Sequence, residues 1–362
     1  MIKRKRTKEV KIGKVGVGGD NPVRVQSMTN TPTADVKATV DQIKRLEEVG
    51  CEIIRVAVYD KESALAIEKI KKEIEIPVVA DIHFDYKLAL ISMDSGVDGL
   101  RINPGNIGSE KKIEKVVEKA KKLSIPIRIG VNSGSVEKEI LKKHQGPTPE
   151  ALVESAVKNV KILEKFGFFD IKISIKSSSA IDTIKAYRLL SEKVDYPLHI
   201  GITEAGFGYR GIVKSSVGLG VLLFLGIGDT LRVSLTGDPV EEVLVAWEIL
   251  RALGIRARGP EIISCPTCAR TEIDVIKISK EIEEYLKGCE DVFTVAVMGC
   301  PVNGPGEAKE ADIGLAGGKN MGVIFKGGKV VKKVKDLSNL VEEFKKELSS
   351  FVFEKFKKRI GI

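Results

Sequence analysis

Short apolar segments alternate with longer amphipathic segments over the first two thirds of the chain. The apolar segments are rich in β-branched residues and predict eight strands, at Val23–Met28, Ile53–Val58, Val78–Ile82, Gly99–Ile102, Ile127–Val131, Ile171–Ile175, Leu198–Ile202 and Leu231–Leu235. Helical spacing of apolar residues predicts helices over 34–49, 62–74, 86–95, 109–123, 148–166, 179–193, 212–225 and 240–253. Eight strand–helix units indicate a (β/α)8 TIM barrel. An open dinucleotide-binding sheet is disfavoured, because no Gly-x-Gly-x-x-Gly follows the first strand.

The pattern changes after Gly254. The remaining chain predicts strand Glu261–Ser264, helix 271–287, strand Val292–Met298, strand Asp312–Ala316, a hairpin around Gly327–Gly328 and a final helix over 337–358. Strands that lead into a hairpin rather than into crossover helices indicate a small α+β domain. We therefore expect a barrel domain over 1–255 and a second domain over 261–362.

Composition and charge exclude several classes of protein. The net charge of the 362 residues is +9, but most lysines sit beside glutamates on predicted helices, as in Lys111–Lys115, which is typical of a solvated helix face rather than a nucleic-acid surface. The longest apolar run, Val217–Gly228, is too short to cross a bilayer, and no apolar segment follows the basic start to form a signal peptide. Five cysteines, an odd number, argue against a disulfide framework. We expect a cytoplasmic protein.

Basic residues recur inside the predicted barrel strands. Arg55, Arg101, Arg128 and Arg232 each lie between branched aliphatic residues, while His83 and Lys176 end their strands. Buried guanidinium groups need a negative partner, and nearby strand carboxylates are few, mainly Asp81 and Glu204. A ligand with several phosphate oxygens, held at the carboxyl-terminal ends of the strands together with polar residues such as Asn132 and Ser234, satisfies this need. The alternative is that each arginine pairs with a helix carboxylate or faces outward.

Four cysteines lie in the second domain. Cys265 and Cys268 are three residues apart and lie in the segment Ser-Cys-Pro-Thr-Cys, and Cys300 lies in Met-Gly-Cys-Pro-Val-Asn-Gly-Pro-Gly-Glu, which ends at Glu307. Thiols at this spacing can bind one metal centre, and proline after a cysteine is typical of iron–sulfur loops. A zinc ribbon would offer a second Cys-x-x-Cys, which Cys300 lacks. Cys289 remains an alternative fourth ligand, and Cys51 is interpreted as a small apolar residue before a strand.

Seven segments resemble one enzyme family closely, the 4-hydroxy-3-methylbut-2-enyl diphosphate synthases of the methylerythritol phosphate route to isoprenoids. They are Gln26–Asn30, Ala80–His83, Arg101–Asn106, Arg128–Asn132, Ile202–Gly206, Ser264–Cys268 and Met298–Glu307. They run through nearly the whole chain, and its length resembles the shorter, two-domain bacterial form. The resemblance implies a 4Fe-4S cluster held by Cys265, Cys268, Cys300 and Glu307, in which the carboxylate leaves one iron exchangeable for a substrate oxygen.

The same resemblance implies a substrate and a reaction. The substrate would be 2-C-methyl-D-erythritol 2,4-cyclodiphosphate, bound by Arg55, His83, Arg101, Arg128, Asn132, Lys176, Arg232 and Ser234. Two electrons, delivered one at a time from ferredoxin or flavodoxin, would open the ring and remove a hydroxyl group as water. Glu204 is the candidate proton donor for that hydroxyl group. The alternative for Glu204 is an ion pair with Arg232 or Lys176.

Two other classes of protein stay open at this stage. One is a pterin- or corrinoid-linked barrel methyltransferase, and the other is a zinc-stabilised binding protein without enzymatic activity. The chain is further expected to form a head-to-tail homodimer. Residues 254–260 reach roughly 25 Å when extended, and helix 240–253 alone is about 21 Å long. Since that helix runs away from the barrel mouth, the second domain of one chain is expected to cap the barrel of its partner.

Overall fold

The computed structural model describes residues 2–300, 308–357 and 360, and its chain divides into two compact units, Met1–Ala257 and Arg258–Ile362. Within the described residues, every helix is too short or too polar to cross a membrane. Each unit has its own hydrophobic core, built from the apolar faces of its helices and strands.

The first unit is the (β/α)8 barrel that the sequence predicts. Its strands are β3 (Arg24–Met28), β4 (Ile53–Ala57), β5 (Val78–Asp81), β6 (Gly99–Ile102), β7 (Ile127–Asn132), β8 (Ile171–Lys176), β9 (His199–Ile200) and β10 (Thr230–Leu231). All neighbouring strands are parallel, in the order β8-β7-β6-β5-β4-β3-β10-β9. A single parallel bridge between Ile173 of β8 and Leu198, beside β9, joins the two edges of this sheet. The carboxyl-terminal ends of all eight strands therefore face one opening, which we call the mouth.

Helices surround the barrel, and several begin at a side chain that accepts a hydrogen bond from the first turn. The helices are α1 (Val36–Glu48), α2 (Lys61–Lys71), α3 (Tyr86–Asp94), α4 (Pro104–Ile107), α5 (Glu110–Leu123), α6 (Lys138–His144), α7 (Pro149–Lys165), α8 (Ala180–Lys193), α9 (Gly208–Phe224) and α10 (Pro239–Ala252). Asp60 accepts from the backbone N–H of Ser63 and Asp35 from that of Ala38, so each satisfies a backbone donor that the helix leaves unpaired. The short helices α4 and α6 have no counterpart in the sequence-based expectation.

A hairpin closes the end of the barrel opposite the mouth. Strands β1 (Val10–Ile12) and β2 (Val15–Val17) pair antiparallel. Their buried side chains pack against Ile53 and Val79, which lie near the amino-terminal ends of β4 and β5. On the same side, Arg256 donates to the backbone oxygen of Val23 at 2.6 Å and to Glu52 at 2.8 Å. The chain that leaves α10 is therefore attached to the barrel end opposite the mouth.

The second unit is an α+β domain with a five-stranded mixed sheet. Its strands are β11 (Glu261–Ser264), β12 (Thr294–Met298), β13 (Ile313–Gly317), β14 (Gly322–Lys326) and β15 (Lys329–Val334), in sequence order. Strands β11 to β13 are parallel, while β14 and β15 form the antiparallel hairpin around Gly327–Gly328. Helices α11 (Val275–Tyr285) and α12 (Leu340–Phe356) bury Val275, Ile278, Ile282, Leu340, Phe344, Leu348 and Val352 in the core of this unit.

Most predicted elements differ from the observed ones at one or both ends, and three of these differences serve as examples. Strand β10 stops at Leu231 rather than Leu235, because the backbone N–H of Leu235 donates to the side chain of Glu242 instead of to a neighbouring strand. Strand β9 ends at Ile200 rather than Ile202. Helix α11 begins after Asp274, whose side chain accepts from the N–H of Lys277, so that the preceding residues stay in a loop.

Candidate active site

A cavity of about 200 Å³ opens at the barrel mouth and is lined almost entirely by polar side chains. It brings together all eight residues that the sequence analysis assigned to substrate binding. The lining residues are Arg55, Asp81, His83, Arg101, Arg128, Asn132, Ser174, Lys176, Thr203, Arg232 and Ser234. Four guanidinium groups and one ammonium group therefore meet in one small space, which favours a ligand with several negative charges.

Strand register explains how the basic side chains converge. Asp81, Arg101, Arg128 and Lys172 are neighbours in one row across β5 to β8. Adjacent residues of parallel strands project to the same face, so this row points into the barrel. Glycines leave room for the long side chains: a Cβ atom at Gly130 would lie 2.2 Å from Nε of Arg101, and one at Gly201 would lie 2.5 Å from Nζ of Lys176.

Asp81 is the carboxylate at the centre of the cavity. Its Oδ1 accepts from Nη1 of Arg101 at 2.9 Å, and its Oδ2 lies 3.5 Å from Nε of Arg55. Nε2 of His83 lies 3.0 Å from Nη1 of Arg101 and 3.5 Å from Asp81. Burial by itself would raise the pKa of Asp81, but Arg55, then His83 and Arg101 hold this pKa far below its usual range. Asp81 is therefore ionised and holds two arginines and His83 in place.

Arg128 and Lys176 are buried, and none of the described carboxylates forms an ion pair with either side chain. Arg128 is 2% exposed, and its Nε and Nη1 atoms have no hydrogen-bond acceptor in the part of the chain that the structure describes. Burial, and after it the charge of Arg128, lowers the pKa of Lys176 well below its usual value. Burial also lowers the pKa of Arg55 to about 10, against the opposing effect of Asp81. A bound polyanion would accept hydrogen bonds from the unpaired Arg128 atoms and would reduce the repulsion between the cationic side chains.

Arg232 lines the cavity and also pairs with a carboxylate on a helix. The two alternatives that the sequence left open, anion binding and pairing with a helix carboxylate, therefore both apply to it. Its Nε and Nη2 atoms donate to the two carboxylate oxygens of Glu242, each at 3.2 Å. Met28 lies on its other side, with Sδ 3.8 Å from Nη1 of Arg232. The same sulfur accepts from Nη2 of Arg55 at 2.8 Å.

Glu204 lies beside the cavity, directly after the lining residue Thr203. Its side chain is exposed, and its backbone has a φ of 51°, in the left-handed region. That conformation costs a residue with a Cβ atom about 1 kcal/mol or more, and such residues concentrate at functional sites. The ion pair with Arg232 or Lys176 is not found among the described residues, since Arg232 pairs with Glu242 instead.

The described cysteines of the Cys-Pro motifs follow two neighbouring parallel strands of the second unit. Cys265 follows β11 and Cys300 follows β12 at the same sheet edge, and the backbone N–H of Gly299 donates to Sγ of Cys265 at 3.1 Å. The N–H of Glu272 also donates to the oxygen of Gly299, so the two loops are joined. Cys268 is exposed, and the backbone N–H of Arg270 lowers its pKa. Amide donors to sulfur and a lowered thiol pKa both favour the thiolate form that binds metals.

Glu307 lies outside the described residues. Within the described ranges, no three His, Cys, Asp or Glu side chains are grouped around a single metal-ion position. The donor set of the two loops nevertheless has the chemistry of an iron–sulfur site: thiols on glycine- and proline-rich loops with amide donors to sulfur.

The two remaining cysteines lie elsewhere. Cys289 is next to Gly259, whose N–H donates to the oxygen of Glu290, and so it lies at the end of β11 opposite Cys265. Cys51 is buried before β4, as the sequence suggests, and burial raises its pKa to about 12.

Sequence reasoning missed several residues of this site. Ser174 lies two residues before Lys176 on the same strand, so the period-two alternation of β8 could have identified it. The sequence does not identify Glu242 as a site residue. Acidic residues are common in the first turn of a helix, because the helix dipole favours negative charge there. Met28 lies in the segment Gln26–Asn30, which resembles the enzyme family, but the sequence did not predict its contacts with Arg232 and Arg55.

Fold and site together define a (β/α)8-barrel protein with a polyanion pocket at its mouth, followed by a domain whose cysteines suit an iron–sulfur centre. Comparison with known proteins identifies the family. A model described as the GcpE TIM-barrel domain matches residues 7–247, and one described as the GcpE protein C-terminal domain matches residues 261–350. The chain belongs to the GcpE family and is an oxidoreductase of isoprenoid biosynthesis, as the sequence resemblance indicated.

Curated relatives match over almost the whole chain. A protein of Maridesulfovibrio salexigens is 62% identical over 355 residues, which cover 98% of this chain and 99% of that relative. One of Caldanaerobacter subterraneus subsp. tengcongensis is also 62% identical over 355 residues, covering 98% of this chain and 100% of the relative. One of Desulfotalea psychrophila is 56% identical and covers 100% of both chains. Each of these relatives is named 4-hydroxy-3-methylbut-2-en-1-yl diphosphate synthase (flavodoxin).

Proposed function

We propose that this protein reductively opens the ring of 2-C-methyl-D-erythritol 2,4-cyclodiphosphate and removes a hydroxyl group, forming 4-hydroxy-3-methylbut-2-enyl diphosphate. The observation that carries the proposal is the cavity of about 200 Å³ lined by four arginines and Lys176. The relatives' names specify a diphosphate product and a flavodoxin, so a diphosphate ligand and a one-electron donor suit this chain as well. Ferredoxin is the other donor class we consider.

The residues of the cavity have distinct roles in this proposal. Arg101, Arg128 and Arg232 donate to phosphate oxygens, because their guanidinium groups match the geometry of such acceptors. Arg55, His83, Lys176, Asn132 and Ser234 complete the donors around the diphosphate. Asp81 accepts no ligand group and instead orients Arg101 and Arg55. Glu204, at the rim, donates the proton with which the hydroxyl group leaves as water.

Cys265, Cys268, Cys300 and Glu307 are proposed to hold a 4Fe-4S cluster. The cluster would supply electrons one at a time and a Lewis-acidic iron for a substrate oxygen. The amide donation from Gly299 to Cys265 would stabilise the sulfur as a ligand. The odd number of cysteines argues against a disulfide framework, and we propose a reducing, cytoplasmic environment for this protein.

Turnover tests the proposed reaction directly. Anaerobically purified, iron-loaded protein, given the cyclodiphosphate and a chemical reductant, should form 4-hydroxy-3-methylbut-2-enyl diphosphate, which mass spectrometry detects. Reductant without protein is the control. A colourless, zinc-containing protein would favour the binding-protein alternative. Methyl transfer from a pterin or corrinoid by a protein that leaves the cyclodiphosphate unchanged would favour the methyltransferase.

We also propose that two copies form a head-to-tail homodimer. Arg256 holds the chain that leaves α10 against the barrel end opposite the mouth. Only a few residues separate Arg256 from β11, which begins at Glu261. Helix α9 exposes Val213, Val217 and Phe224 by 56%, 55% and 66%, on one stripe with helical spacing. Exposed apolar stripes of this kind are typical of protein interfaces.

Complementation tests this dimer. A chain with Arg101→Ala and a chain with Cys300→Ala should each be inactive alone, and co-expressed mixed dimers should recover part of the activity, because each dimer would contain one intact pair of sites. Mixed dimers isolated with two affinity tags give the measurement, and homodimers of each variant are the controls. Full activity from a monomer, or inactive mixed dimers, would contradict the head-to-tail arrangement.

A further inference from the structure

Glu242 is a buried carboxylate behind the wall of the barrel mouth. It lies in the first turns of α10 and is 4% exposed. Four hydrogen bonds reach its two oxygens. The donors are Ser27 Oγ at 3.2 Å, Arg232 Nε at 3.2 Å, Arg232 Nη2 at 3.2 Å and the backbone N–H of Leu235 at 3.0 Å. A carboxylate with this many donors is fixed in place.

These contacts link the helix to two elements of the cavity. The paired contact with Nε and Nη2 fixes the plane of the Arg232 guanidinium and leaves Nη1 directed elsewhere. The contact with the Leu235 N–H holds the turn after β10, which carries the lining residue Ser234. One carboxylate thus sets the position of two groups that line the pocket.

Met28 keeps the opposite side of Arg232 uncharged. Its sulfur lies between the guanidinium groups of Arg232 and Arg55 and is only a weak acceptor. Within the described residues, Glu242 is the carboxylate that pairs with Arg232, while Asp81 pairs with Arg55 and Arg101. Four arginines facing two carboxylates leave an excess of two positive charges for a ligand, before Lys176 is counted.

We infer that Glu242 is a positioning residue for the anion pocket, acting on the ligand through Arg232 and the Ser234 turn without touching it. The inference rests on the proposed function only in that the whole ligand is taken to be the cyclodiphosphate. The diphosphate part of the ligand is inferred from the basic lining of the cavity. A glutamine at this position keeps the size of the side chain. It removes the charge, however, and turns a donor towards either Arg232 or Leu235.

The test compares ligand binding by Glu242→Gln and wild type. Oxidised, iron-loaded protein is titrated calorimetrically with the cyclodiphosphate and, separately, with inorganic pyrophosphate. The variant should bind both ligands about 10- to 100-fold more weakly, which is the fold-change for a misplaced charged hydrogen bond. Its iron content should equal that of wild type.

Glu52 provides a matched control. Its carboxylate also accepts from one backbone N–H, that of Val25, and from two arginines, Arg24 and Arg256, but at the end of the barrel opposite the mouth. Glu52→Gln should lower the thermal midpoint and leave both affinities within about twofold of wild type, since its partners do not line the cavity. Equal losses of affinity in the two variants would show a general effect of stability and overturn the inference.

A double-mutant cycle separates positioning from mere support of the fold. Adding Glu242→Gln to Arg232→Ala should weaken binding by less than Glu242→Gln alone does, because the part of its effect that runs through Arg232 is already lost and only the part through the Ser234 turn remains. Additive losses would overturn the inference. If Glu242→Gln does not fold, Glu242→Asp takes its place. The shorter side chain keeps the negative charge but moves it away from Arg232. Unchanged ligand affinity in this variant would again refute the positioning role of Glu242.

The two ligands keep this inference separate from the proposed function. Wild type that binds pyrophosphate but neither binds nor converts the cyclodiphosphate would refute the proposed substrate. The pyrophosphate titrations would still decide the role of Glu242. Unchanged pyrophosphate affinity in Glu242→Gln would refute that role even in a protein with full turnover.

Discussion

Replacing Cys300 with alanine should yield protein without iron and without turnover. Cys300 is 5% exposed and follows β12 at the sheet edge where Cys265 follows β11. Loss of one of three thiolates leaves too few ligands for an assembled cluster. Iron and sulfide content, with the visible absorption of anaerobically purified protein, measures the first effect, and product formation measures the second.

Cys289→Ala is the matched control for this experiment. It removes a thiol from the same unit, but at the opposite end of β11, and should keep both iron and activity. Iron-free Cys289→Ala protein would instead assign four thiolates to the cluster and exclude Glu307. A Cys300→Ala protein with a full complement of iron would contradict the ligand assignment altogether.

Glu204→Gln should turn over about 10²- to 10⁴-fold more slowly than wild type while binding the substrate with nearly normal affinity. The amide has the size of the carboxyl group but no transferable acidic proton. Because Glu204 forms no ion pair with the described residues, its loss should not disturb the arginines of the cavity. Single-turnover kinetics with reduced protein gives the rate, and calorimetry gives the affinity.

The control for this effect is a nearby exposed carboxylate. Glu241 lies in the first turn of α10, on the mouth side of the barrel, and Glu241→Gln makes the same change in charge. Its turnover should stay within about twofold of wild type. Near-normal turnover in Glu204→Gln would remove Glu204 from the proton-transfer step.

The barrel was predictable because its signals are local and repeated. Each strand is a short β-branched run, each helix has an apolar stripe, and each of four predicted strands holds one arginine between branched aliphatic residues. These matching surroundings predicted that the arginines meet at the mouth, and the observed register pairs Arg101 with Arg128. The exact strand ends were not predictable, because β10 stops where a side chain on a later helix captures the N–H of Leu235.

Glu242 shows what sequence patterns leave out. It lies ten residues beyond Arg232 and, as an acidic residue in a helix first turn, needs no special explanation. Only the folded barrel places it against Arg232, Ser27 and Leu235 together. Contacts between separate elements depend on packing distances that no periodicity encodes.

The excess positive charge of the barrel interior has a consequence for evolution. Arg128 and Lys176 are held in a water-poor space close to other cations, an arrangement that destabilises the fold while it strengthens anion binding. A ligand that binds only the folded barrel restores this stability, by about 2.7 kcal/mol at a concentration 100 times its dissociation constant. Lineages adapting to heat could replace one of these cations and gain stability, but only with a loss of affinity. Selection for thermal tolerance and selection for scarce substrate thus act in opposite directions on the same few side chains.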